Sequence, residues 1–249
     1  MIIFLHILIK LQCCNITIYA IIFFYVAEIL HWINCARNRR TITAMLEKQI
    51  QNGFSRYIPS SDEARRWGIF VTDLGYTDIA PSTNYPQGQH PEQYTLNRKT
   101  GRILQEHQIV YITRGKGVFW SDRSGTITIR TGSVFLLFPG VRHRYRPHCK
   151  TGWEEHWIGF GGDQGEKLMR EFFSPEKPVI HTGTDSDLLS LFRDACTLAQ
   201  RESFGFRPVI AAKTMEIIAR IQILSCGEVL RHGLCPLEYR SSFAPAVER

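Results

Sequence analysis

HQIVYITRGKGVFWSDRSGTITIRTGSVFLLFPGVRHRYRPHCKTGWEEHWIGF, residues 107–160, decides the fold class. It divides into short β-prone runs (HQIVYIT, VFW, TITIR, SVFLLF, VRHRYR and EHWIGF) separated by RGKG, SDRSG, TG and PG. β-branched and aromatic runs punctuated by glycine and proline predict strands joined by tight turns. So many short strands in so little chain predict a small antiparallel β-barrel, whose mouth is a natural ligand site. Alternation along the strands gives each two faces. In RHRYR the arginines Arg142, Arg144 and Arg146 point one way and His143 and Tyr145 the other. In EEHWIGF, Glu155 and Trp157 share one face, and His156, Ile158 and Phe160 the opposite, more apolar one. With the arginines in solvent, Tyr145 points inward. Glu155 and Trp157 are then candidates to meet it, giving a phenol, a carboxyl and an indole that suit a sugar or similar polyol. Packing aromatics and an exposed glutamate remain the alternative.

Outside this stretch the chain changes character twice. Residues 1–44 form an apolar leader. Within it, residues 16–33 reach the lower limit of a membrane span of about 17–25 residues, and Arg37, Arg39 and Arg40 would hold the following side in the cytoplasm. The competing reading is a non-native start, with Met45 as the natural beginning. Residues 45–66 read as a polar connector. Beyond the barrel (67–162), three apolar stripes at helical spacing occupy 163–226: Leu168, Met169, Phe172 and Phe173; then Leu188, Leu189, Phe192, Ala195, Cys196 and Ala199; then Ile210, Thr214, Ile217, Ile218, Ile221 and Leu224. Asp163, with Glu166 three residues on, is the expected cap of the first. Residues 227–249 read as an irregular tail.

Composition narrows the function classes. Of 249 residues 44 % are hydrophobic and 12 % aromatic, enough for a sizeable core. The net charge of +7 permits contact with nucleic acid or a membrane surface without establishing it. Seven cysteines at irregular spacing predict neither a disulfide framework nor a structural metal site, and fit a reducing cytoplasm. GFGGDQG at 159–165 lacks the spacing and the second βαβ unit of a dinucleotide site.

Three strings, ITRGKG at 112–117, GSVFLLFPGVRHRY at 132–145 and WEEHWIGF at 153–160, resemble the N-terminal ligand-binding and dimerisation domain of AraC-type transcription regulators. The resemblance reaches more weakly from about Trp67 to about Ser225. It implies a mainly β fold, a cupin-like jelly-roll barrel followed by an α-helical dimerisation region. It implies a small-molecule effector, often a carbohydrate, and a homodimer built on the later helices. By position the pocket Tyr matches Tyr145 and the stacking Trp matches Trp157. The pocket His falls on Glu155, a departure that puts the identity of the sugar in doubt. An Arg near the barrel's start matches Arg98, and His143 joins the candidate ligand-binding set. Such regulators contact DNA through helix-turn-helix motifs in a later domain, and none is legible before residue 249. The expectation is therefore a cytoplasmic sensing domain cut off before its DNA-binding half, anchored to a membrane if the leader is genuine. Metal-dependent cupin enzymes share the PG…His pattern, here Pro139 to His143, but their first motif needs a His-x-His pair where only His107 lies. No metal, no cofactor and no catalysis are expected, a cupin enzyme being the weaker alternative.

Overall fold

A computed structural model of the chain describes residues 53–83, 85–86, 96–97 and 100–231, with side chains to 226. The leader, Arg98 and the tail after 231 lie outside these residues. In chain order the elements are β1 (Phe54–Tyr57), α1 (Asp62–Arg65), β2 (Phe70–Ile79), β3 (His107–Ser121), β4 (Gly125–Arg130), β5 (Ser133–Leu137), β6 (His143–Pro147), β7 (Trp153–Gly161), α2 (Asp163–Phe172), β8 (Val179–His181), α3 (Ser186–Arg201) and α4 (Phe206–Arg231). All the strand pairs are antiparallel, in the order β1-β2-β7-β3-β5-β8, with β4 and β6 flanking the far half of β3.

RGKG, expected to be a turn, is instead the bend of one long strand. β3 pairs with β5 and β7 over His107–Ile112, then with β4 and β6 over Lys116–Ser121. A register shift between Ile112 and Arg114 lies at the change-over, and bulges of this kind sharpen local twist. Gly115 sits at φ +88°, and a Cβ there would run into the carbonyl oxygen of Gly152. A Cβ on Gly117 would strike Arg146 O and the Trp153 ring. Only glycine lets the strand pass this crowded corner.

The apolar runs are continuous because β3, β5 and β7 are buried on both faces. Ile109, Tyr111, Val134, Leu136, Ile158 and Phe160 pack outward against the helices. Val110, Ile112, Phe135, Leu137 and Trp153 pack inward with Phe119 and Ile129. The helical layer supplies Met169, Leu188, Phe192, Ala195, Ile210 and Ile217. Tyr111 OH, which accepts from Asp185 N at 2.9 Å and donates to Gly183 O at 3.0 Å, ties sheet to helices.

Four local expectations are corrected. The stretch from 54 to 66 is not merely a connector: β1 pairs with β2, and Arg56 donates to Ala199 O at 2.9 Å and pairs with Glu202. Asp163 does not cap α2. The cap position is Gly162, at φ +108° with no side-chain bond, and Glu166 reaches His107 Nε2 at 2.9 Å instead. Phe172 is 48 % exposed rather than part of the buried stripe. α4 continues past 226, where the irregular tail was expected to begin, and runs to Arg231, since no proline interrupts this end and one internal glycine costs only about 1 kcal/mol.

Candidate functional site

β2 and β7 form the wall on which the cavity is built. Their register sets Gly75 against Trp157 and Thr77 against Glu155. A Cβ on Gly75 would come 2.5 Å from Cζ2 of Trp157, so the bare glycine makes room for the indole. A second bulge, between Val71 and Asp73, lies where Asp73 turns inward, into space left by Gly159. The cavity measures about 360 Å³, within the roughly 300–1,000 Å³ of ligand sites. Trp157, Tyr145, Glu155, Arg102, Asp73 and Gln108 carry its chemistry.

A hydrogen-bond relay crosses the cavity. Arg102 is held by a β-bridge to His143, with Arg102 N to His143 O at 2.9 Å and the return bond at 3.0 Å. Its guanidinium donates to His143 Nε2 at 3.2 Å, Gln108 Oε1 at 3.1 Å and Tyr145 OH at 2.9 Å. Gln108 Nε2 passes the relay to Asp73 Oδ2 at 2.8 Å. Since Arg102 donates to Nε2 of His143, Nδ1 carries the proton and donates to Val141 O at 3.0 Å. Burial, then the neighbouring Arg102 charge, push the imidazole down to about 3, so it stays neutral. Apart from this relay, Tyr85 donates to Glu155 Oε2 at 3.2 Å.

Both acids are pushed up by burial. Glu155 rises to about 8 and Asp73 to about 7, although Tyr85 and Arg102 oppose the rise at Glu155 and Arg102 opposes it at Asp73. Burial likewise lifts Tyr57 and Tyr145 to about 12. The lining thus offers one permanent cation, two carboxyls poised near neutrality, an amide, several phenols and an indole. Such a set can donate to and accept from a ligand rich in hydroxyls.

Of the residues singled out in the sequence, Tyr145, Glu155 and Trp157 line this cavity together. His143 stands behind Arg102, stacked on Tyr145 at 6.3 Å and off the wall. Arg98 lies outside the described residues, and the cation that does enter is Arg102, four positions on. Asp73, Gln108, Tyr57 and Tyr85 were also missed. Gln108 was within reach, since in HQIVYIT it is the polar member of the face shared by Val110 and Ile112. Asp73 was within reach too, as an acid inside an apolar strand.

Residues 80–218 match the family model of the AraC-like ligand binding domain. The chain belongs to this family. Relatives among curated proteins include the Msm operon regulatory protein of Streptococcus mutans serotype c, 24 % identical over 58 % of this chain and 49 % of its own length. Another is the lactose operon transcription activator of Staphylococcus xylosus, 26 % identical over 39 % of this chain and 35 % of its own. The chain thus spans half or less of the length of these two curated relatives. A solved structure, of a predicted oxalate decarboxylase from Thermotoga maritima, is similar at 19 % identity and a TM-score of 0.28, covering 43 % of this chain and 78 % of that one.

Among the described residues no helix is long and apolar enough to cross a membrane, and no three His, Cys, Asp or Glu side chains cluster as a metal site. The apolar run at 16–33 lies outside them. Cys149, Cys196 and Cys226 are free thiols.

Proposed function

We propose that this AraC-like domain senses a small carbohydrate and passes its occupancy to transcription, without catalysing a reaction. The observation that carries the reading is the cavity's composition. An indole braced by Gly75 faces the same space as Arg102, Glu155, Asp73 and Gln108. Sugar C–H faces pack on aromatic planes, while hydroxyls both donate to carboxyls and accept from a guanidinium. Glu155, where the family resemblance expects a histidine, points to an effector whose hydroxyl donates at that position. Two curated relatives are named as operon regulators, one of them for lactose, which supports a regulatory output and makes lactose one of the sugars to test. DNA contact would come through a helix-turn-helix domain of the kind the family resemblance implies.

Dimerisation belongs to the same proposal. The buried face of α4 carries Ile210, Thr214, Ile217 and Ile221, while Ala212, Met215, Ala219 and Ile223 line the opposite, exposed face at helical spacing. A small-large apolar seam of this kind suits a second copy of the helix. Ligand binding shifts the arrangement of two such subunits only through different affinities for the two arrangements.

The test is a fluorescence titration of the full chain with pentoses, hexoses and lactose. A saturable change in tryptophan emission is expected with at least one sugar, and Trp157→Ala should weaken that binding by about tenfold or more. Unchanged affinity in the variant would sink the stacking role.

A further inference from the structure

The strands opposite the helices present a different surface. On the far half of β3, Lys116, Val118 and Trp120 face outward, joined by Arg144 and Arg146 of β6 and Arg130 of β4. The cross-strand partners are Lys116 with Arg130, Val118 with Arg146 and Trp120 with Arg144. Arg144 lies 4.6 Å over the Trp120 ring. Neither β4, nor β6, nor residues 116–121 contain an acid. Among the described residues Lys116, Arg130 and Arg146 have no carboxylate partner, and the acid at the strand end, Asp122, is turned to Arg142 at 3.8 Å.

This arrangement works against folding. Like charges directly opposite across an antiparallel pair are destabilising, and Lys116 faces Arg130 in that way. Alternate residues on a strand stand about 6.8 Å apart and neighbouring strands about 4.8 Å, so the cations form a flat grid. Thr126 and Thr128 add exposed hydroxyl groups on β4. A protein-binding patch would need buried aromatic anchors in an apolar centre, whereas this face offers only Val118 and a Trp120 already covered by Arg144. Repeated charge with hydroxyl donors is what a phosphate backbone requires.

We propose that the outer face of β6, β3 and β4 binds the phosphodiester backbone of duplex DNA without regard to sequence. Its role is to hold the sensing domain against DNA that a regulator's recognition domain engages elsewhere. The surface lies outside the cavity lining, so it stands or falls independently of the effector.

The experiment is fluorescence anisotropy of the full chain with a labelled 30-bp duplex of mixed sequence. Wild type should bind weakly, and its log affinity should fall with log salt at a slope of about 3, as phosphate contacts by Lys116, Arg130 and Arg146 require. K116E/R146E should bind at least tenfold more weakly, with a slope lower by about 2. K116E alone should lose affinity while melting at a higher temperature, because the introduced carboxylate would face Arg130 as an ion pair, and that separates lost binding from lost fold. Absence of salt-dependent binding by wild type, unchanged binding by K116E/R146E, or poly-glutamate competing as well as duplex would each overturn the proposal.

Discussion

Burial sets the protonation of Glu155, against the opposing pull of Tyr85 and Arg102. Buried and hydrogen-bonded to Tyr85, Glu155 has its protonation raised from 4.5 to about 8. Between these values the folded chain holds a proton that the unfolded chain releases, so stability falls as pH rises from about 4.5 through 8. Asp73, raised from 3.8 to about 7, adds to the fall in the lower part of that window. Glu155→Gln keeps an acceptor for Tyr85 and removes the proton, so it should melt at a higher temperature than wild type at pH 8.5. The difference should shrink towards pH 5, and melting curves at pH 5, 7 and 8.5 check this. A constant difference at all three would show that Glu155 does not titrate in this range. At this scale the sequence was partly legible. Alternation set Tyr145 opposite the arginines but left β7 undecided, because both of its faces are buried, one by the cavity and one by the helices. Arg102 escaped because NRKTGR offers three cations, and the β-bridge to His143 that selects one is a tertiary contact.

β3 shows why the elements were easier to find than their joints. Its apolar runs are visible at period two, yet RGKG reads locally as a turn and becomes strand only because β4 and β6 pair beyond it. The bend depends on Gly115, which combines a left-handed φ with a carbonyl oxygen where a side chain would begin. Gly125 also has a positive φ, +69°, but nothing lies within 4 Å of its Cβ position. Gly115→Ala should therefore cost on the order of 3 kcal/mol and Gly125→Ala about 1 kcal/mol, as read by denaturant titration. Equal costs would mean that backbone conformation alone, rather than the crowded corner, makes Gly115 necessary. The same limit explains the α2 cap. Asp163 and Glu166 have the spacing of a capping box, but buried His107 claims the carboxylate.

For the whole molecule, the fold separates three surfaces: a cavity inside the barrel, an apolar seam on α4 and a cationic face on β6, β3 and β4. The seam predicts that Met215→Glu with Ile223→Glu yields a monomer, measured by size-exclusion chromatography with light scattering, while melting near the wild-type temperature. A dimer unchanged by both substitutions would place the interface elsewhere. The general plan of barrel and helices was legible, because two periodicities, 2 and 3.6, carry it. The use of each surface was not, since that depends on which faces the packing leaves open.

The central claim is that the barrel cavity is the effector site. Isothermal titration calorimetry with whichever sugar perturbs tryptophan emission tests it most directly, on wild type, Arg102→Ala and the surface variant R146E. One binding event per chain is predicted for wild type and R146E alike. For Arg102→Ala, loss of charge-assisted hydrogen bonds worth about 1.5–3 kcal/mol should weaken affinity roughly ten- to a hundredfold. Equal affinity in wild type and Arg102→Ala, with the variant folded, would contradict the account.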